Sequence, residues 1–181
     1  MILIQGLELA SVPDLKQIIK ALNSVGLRYE ITIQMCDASR IATWEHIFFG
    51  ALYAMLAFKQ NRSISNQLAL EVLLYISGQR QIQVALTEFG ARAGNSALII
   101  LGNSEQMLKQ ALEECQTLLD SMPSDEVLTI FNDAKWAAIQ DYFIINKNEI
   151  DAITLSNTKE SLEEALFKAV LNRIALVTCE K

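Results

Sequence analysis

Histidine occurs once in this chain, at His46, and that scarcity limits the chemistry available. Its i+4 neighbour is Gly50, so the helical HExxH metal pair is absent. No Ser/His/Asp or Cys/His set assembles without His46, and no G-x-S-x-G turn occurs. The segment Gly90-Ala91-Arg92-Ala93-Gly94 follows an expected helix and precedes an expected strand, the wrong order for a dinucleotide loop. It also lacks the lysine of a phosphate loop. The expectation is a chain that is not an enzyme, with no catalytic residue, no cofactor and no metal. Cysteine is equally sparse: Cys36, Cys115 and Cys179 are odd in number and far apart, which argues against a disulfide framework or a zinc site. A reducing cytoplasm is the expected location. The longest apolar run, residues 47–58, is too short to span a bilayer, and the opening MILIQGLEL lacks the features of a signal peptide. With two prolines and seven glycines there is no linker-like stretch, and one domain over residues 1–181 is expected.

Positive charge is also in deficit. The net charge of −6 argues against wrapping nucleic acid by charge alone. Its distribution is uneven. Residues 38–102 carry Arg40, Lys59, Arg62, Arg80 and Arg92 against Glu45, Glu71 and Glu88, leaving +2 there and −8 for the remainder. The middle of the chain is where a phosphate would be welcome, although ordinary solvated faces account for the same balance.

What the chain has in abundance is apolar side chains, 51% of its residues. They are densest between Ser65 and Gly90. There the pattern predicts two helices joined at Gly78. The first, Asn66–Ser77, is apolar on nearly every side through Leu68, Leu70, Val72, Leu73, Leu74, Tyr75 and Ile76, and therefore belongs in the interior. Glu71 alone interrupts it; the expectation is a solvent-facing position or an ion pair with Arg80. The second helix sets Ile82, Ala85, Leu86 and Phe89 in one stripe. Gly78 and Gly90 are expected in the left-handed conformation after each helix. Between the helices lies a polar elbow, Gln79-Arg80-Gln81, where free backbone N–H groups would suit an anion.

Around this centre, Ile2–Leu9 reads as a strand. Pro13 is expected to open a helix with Leu15, Ile18, Ile19 and Leu22 buried and Gly26 after its end. Tyr29–Cys36 alternates as a half-buried strand. From Thr43 a helix follows with Trp44, Ile47, Phe48, Ala51, Leu52 and Met55 on one face. Ala97–Leu101 reads as a strand buried on both faces, and Ser104 as the cap of a helix carrying Met107, Leu108, Ala111, Leu112, Cys115 and Leu119. Val127–Phe131 is expected as a strand, and Asn132 as the cap of a helix bearing Trp136, Ile139 and Phe143. The fold class is α+β, with helices packed around a small mixed, largely antiparallel β-sheet in a single domain. The last helix, with Asn157 and Glu160 in capping-box spacing, has apolar residues around more than half its circumference. That width suggests either a second surface pressed on it or deeper burial within its own domain.

The chain then contains a specific set of residues: Ala38-Ser39-Arg40-Ile41 leading to His46; Ala51, Ala54 and Ala57; Asn66; Glu71-Val72-Leu73-Leu74-Tyr75; Ser77-Gly78-Gln79-Arg80-Gln81-Ile82; Ala85; and Phe89-Gly90. With these, the run from Cys36 to Gly102 resembles the kinase-binding subunit of the KEOPS complex in its archaeal form, the family of the PRPK-binding protein TPRKB. A weaker match runs from Leu162-Glu163-Glu164 to Arg173-Ile174-Ala175-Leu176. Together these regions cover about half the chain. Ala91 departs from the pattern, since the family has Ile after the Phe-Gly pair.

The resemblance implies a non-catalytic subunit that binds and stimulates the complex's small atypical protein kinase. That complex installs threonylcarbamoyl on the adenosine beside the tRNA anticodon, and the family holds the single-stranded CCA end of tRNA. The implied partners are the kinase, tRNA and the rest of KEOPS, with no membrane, and a homodimer of the isolated chain left open. The candidate tRNA contacts are Arg80 and Gln81 at the elbow with Lys59, Arg62 and His46, since single strands are gripped by stacking and converging cations. The candidate kinase contacts are Leu162, Leu166, Ala169, Val170 and Ile174, with Arg173 at the rim. Two other readings stay open: a homo-oligomeric structural protein without RNA binding, and a small enzyme whose site follows no recognised motif.

Overall fold

The computed structural model describes residues 1–9, 14–130, 132–156 and 158–178. Among the described residues four strands form one sheet: β1 (Ile2–Leu9), β2 (Thr32–Asp37), β3 (Gly94–Leu101) and β4 (Ser121–Pro123), in the order β2-β3-β1-β4. Every pairing is antiparallel; β3 sets Leu101 opposite both Ile2 and Thr32. The α+β class is as expected, and among the described residues the sheet is antiparallel throughout rather than mixed.

The pleat of β3 explains why its sequence is a continuous apolar run. Successive side chains point to opposite faces. Ala97, Ile99 and Leu101 enter a large core, while Leu98 and Ile100 enter a smaller one. The smaller core is closed by α1 (Leu15–Tyr29) and α5 (Glu105–Leu119). The larger is closed by α2 (Trp44–Lys59), α3 (Leu68–Ser77), α4 (Ile82–Phe89), α6 (Asp133–Phe143), α7 (Lys147–Ile153) and α8 (Lys159–Leu176).

Several boundaries differ from the sequence reading, each for a local reason. Helix α1 begins under Asp14, whose carboxylate accepts from the Lys16 and Gln17 amides. The expected opener, Pro13, lies outside the described residues. The helix runs through Gly26 and ends at Glu30, which takes the left-handed turn at φ 53°. Gly26 is needed inside the helix because a Cβ there would come within 3.0 Å of the Ile31 carbonyl oxygen. Tyr29 is consequently helical, and β2 starts only at Thr32. Ile19 points outward.

On α2 the buried stripe is Ile47, Gly50, Ala51, Ala54 and Ala57, with Trp44 52% exposed. Small residues win that face because α3 lies so close: a Cβ on Gly50 would sit 2.7 Å from a side-chain carbon of Ile76. Met107 on α5 is likewise exposed.

The expected strand at Val127–Phe131 is a 3-10 turn over Asp125–Leu128, with Val127 and Leu128 buried; Phe131 lies outside the described residues. Lys135 on α6 reaches into the core and donates to the Val127 carbonyl at 2.6 Å, with burial pushing its ammonium down to about 8. Two short elements carried no pattern to read. They are β4, which ends in Pro123 at the sheet edge, and α7, capped by Asn146.

Helix α8 is capped by Thr158, whose hydroxyl accepts from the Ser161 amide. Asn157, half of the expected capping box, lies outside the described residues. Ala165, Leu166, Ala169, Val170 and Ile174 are buried in the larger core, where α8 packs on α2, α3, α6 and α7. Deeper burial within the chain therefore accounts for the wide apolar face.

Candidate functional site

Three chain turns converge at one end of the larger layer. The first closes α2. Asn61 takes the left-handed position at φ 52°, and the Arg62 amide bonds back to the Ala57 carbonyl at 2.9 Å, the pattern of a Schellman cap with asparagine in place of glycine. This turn throws the Arg62 side chain past the helix end, where it donates to Gln60 Oε1.

The second turn closes α3 at Gly78, which is left-handed at φ 65° as its position requires. The Gln79 amide returns to the Leu74 carbonyl at 3.0 Å. Arg80 follows, exposed at the entrance to α4. Gly90, expected in the same conformation, is extended at φ −58°. Its lack of a side chain serves a close approach instead, since a Cβ would lie 2.2 Å from the Leu86 carbonyl oxygen.

The third turn ends α8. There the Arg80 guanidinium donates to the Val177 carbonyl at 2.6 Å, satisfying a carbonyl that the helix end leaves without an intrahelical partner. The Thr178 hydroxyl donates to Tyr75 Oη at 3.2 Å.

These turns enclose a cavity of about 520 Å³ lined by Tyr53, Leu56, Ala57, Gln60, Arg62, Ile64, Tyr75, Arg80, Ala175, Val177 and Thr178. The Tyr53 and Tyr75 rings lie 6.1 Å apart on its wall. Two guanidinium groups reach it, and no carboxylate is among the described residues that line it. Apolar and aromatic walls with cations at the mouth suit a planar, anionic guest.

The structure thus brings Arg62 and Arg80 together. Lys59 and Gln81 are exposed beside them in the chain but do not line the cavity. His46 is removed from the site altogether. It is 0% exposed, its Nδ1 accepts from the Ala42 amide at 3.3 Å, and its Nε2–H donates to the Ile76 carbonyl at 2.8 Å. Burial holds its pKa down to about 4, so the ring is neutral and committed to linking α2 with α3. The expected Arg80–Glu71 pair does not form either. Glu71 is fully buried, and its carboxylate accepts from the Ile64 and Ser65 amides.

The kinase-contact residues fare differently. Leu166, Ala169, Val170 and Ile174 are enclosed by the chain itself and offer no surface. Arg173 is also spent internally, since its guanidinium bonds to Glu149 at 2.9 and 2.7 Å and to the Phe143 and Ile144 carbonyls. Leu162, half-buried, lines a notch of about 320 Å³ with Ile130 and Trp136. Among the described residues no helix is long and apolar enough to cross a membrane.

The two tyrosines and the α8 terminus were missed by the sequence reading. Tyr75 was read as core, and it is nearly fully buried; only its hydroxyl position marks it as a wall.

A family model described as "Kinase binding protein CGI-121" matches residues 9–178. The chain is 31% identical over 122 residues to "Regulatory protein Cgi121" of Methanocaldococcus jannaschii, covering 67% of this chain and 74% of that protein. It is 30% identical over 70 residues to "KEOPS complex subunit Cgi121" of Pyrococcus abyssi, covering 39% and 41% respectively. With the family match running over nearly the whole length, this chain belongs to the CGI-121 kinase-binding protein family.

Proposed function

We propose that this chain is a non-catalytic KEOPS subunit. It binds and stimulates the complex's small atypical kinase and holds the single-stranded 3′ CCA end of tRNA for threonylcarbamoyladenosine modification. Family membership and the name of the Pyrococcus relative support the first part. The observation that carries the second is the convergence of Arg62 and Arg80 on an aromatic-walled cavity with no carboxylate among the described residues that line it. An acidic chain holds RNA by such a local site: an aromatic face accepts a base, and guanidinium groups meet its phosphate. Arg80 spends one hydrogen bond on Val177, and a guanidinium has further donors to offer.

For the kinase, Leu162, which lines a notch beside Trp136, is the apolar residue of the expected α8 surface that stays partly exposed. The test is a pull-down with the kinase and a binding titration with tRNA. Arg80→Glu is expected to weaken tRNA binding at least tenfold and leave kinase capture intact. Leu162→Glu is expected to do the reverse. Undiminished binding to tRNA that lacks its CCA end would overturn the RNA assignment.

A further inference from the structure

The loop between α2 and α3 forms the wall that presents Arg62 and Ile64 to the cavity, and this loop has no strand or helix to hold it. Its consecutive amides, Ile64 N–H and Ser65 N–H, donate instead to a carboxylate seven and six residues ahead, respectively. Glu71 Oε1 and Oε2 lie 3.0 Å from the Ile64 nitrogen, and Oε2 lies 2.7 Å from the Ser65 nitrogen. Ser65 then accepts from the Gln67 amide through its hydroxyl at 3.1 Å, completing the approach to α3.

Glu71 occupies the first turn of α3, where the helix dipole favours a negative group. A fully buried carboxylate inside an apolar helix is costly to place unless it is satisfied there, and these loop amides supply partners. We propose that Glu71 is a positioning residue for the cavity: its carboxylate clamps the α2–α3 loop and so sets where the Arg62 guanidinium stands. This rests on reading the cavity as the site for a single-stranded RNA end. Glu71 touches no guest itself; it acts through Arg62.

Glutamine is the informative replacement, because it keeps the size of the side chain but removes the negative charge and turns one of the two acceptor oxygens into an N–H donor that would face the Ile64 N–H. The experiment is a fluorescence-anisotropy titration of the full chain with a labelled short oligoribonucleotide ending in CCA, over a series of salt concentrations. Glu71→Gln is expected to weaken binding about fivefold, as Arg62→Ala does. It should also reduce the log–log salt slope by roughly 0.7, the signature of one lost phosphate contact on a single strand. In an Arg62→Ala background Glu71→Gln should cost nothing further, whereas in an Arg80→Ala background it should cost the same fivefold. A thermal melt accompanies each variant. Should the glutamine chain not fold, Glu71→Asp, which withdraws the carboxylate by one methylene, takes its place in the same cycle.

Losses at positions 71 and 62 that multiply, or a Glu71 variant that binds like the parent while Arg62→Ala does not, would overturn the clamp and leave the site standing. If Arg62→Ala and Arg80→Ala both bind like the parent, the cavity reading falls and the clamp falls with it.

Discussion

Removing an imidazole from water is tolerable only while it stays neutral, and His46 therefore ties stability to pH. Its folded pKa is about 4, against 6.5 in the unfolded chain. Between those values the unfolded state binds the proton more readily. Its contribution is therefore complete above about 6.5 and is lost as the pH falls toward 4, in total on the order of 3 kcal/mol. Urea midpoints measured across that range should fall less steeply for His46→Gln than for the parent; equal slopes would remove this account. At Gly50 the argument is steric. An added methyl meets Ile76 at 2.7 Å and its backbone nitrogen at 3.1 Å, and α3 cannot retreat without opening the core. Gly50→Ala should cost about 1–3 kcal/mol by denaturant titration.

Among the helices, α8 shows how a sequence pattern can be right about apolarity and silent about what covers it. Its wide stripe was legible; that α2, α3, α6 and α7 would supply the cover was not, because helix–helix contact is set by the paths of distant segments. The same limit applies at the cavity. Arg62 and Arg80 could be picked out as cations near helix ends, but the partner of Arg80, the end of α8, lies 97 residues further along the chain. His46 was misplaced because a lone histidine in a helix carries no mark of which face it takes. Strands β1 and β3, the left-handed turn at Gly78 and the caps Ser104 and Asn132 were readable because their signals are local. Capping residues such as Thr43, Ser104 and Asn132 each satisfy amides within their own first turn. The practical consequence concerns Leu166→Glu. It would bury a charge in the larger core and should unfold the chain, a loss of helical circular dichroism, so it cannot report on a kinase surface. Arg173→Ala offers a milder probe. It removes the link from α8 to Glu149 and to the end of α6, and should cost about 1–3 kcal/mol with folding intact. Because the pair is partly exposed, high salt should diminish that difference.

For the molecule as a whole, the net charge of −6 makes long-range attraction to RNA unfavourable and leaves recognition to a short-range site. The isolated chain should consequently bind duplex and single-stranded RNA very differently, with the duplex weaker at every salt concentration. Equal affinity for the two would point to a diffuse charged face. The strand order carries a different consequence, one for the ribosome. Strands β1 and β2 are separated in space by β3, and each pairs along its length with it. During synthesis, neither early strand can find that partner until Leu101 has left the exit tunnel. The segment that holds both early strands must wait unpaired, and a nascent chain halted before that point should be cut readily by protease, while the finished chain, with α6, α7 and α8 in place over the larger core, should resist.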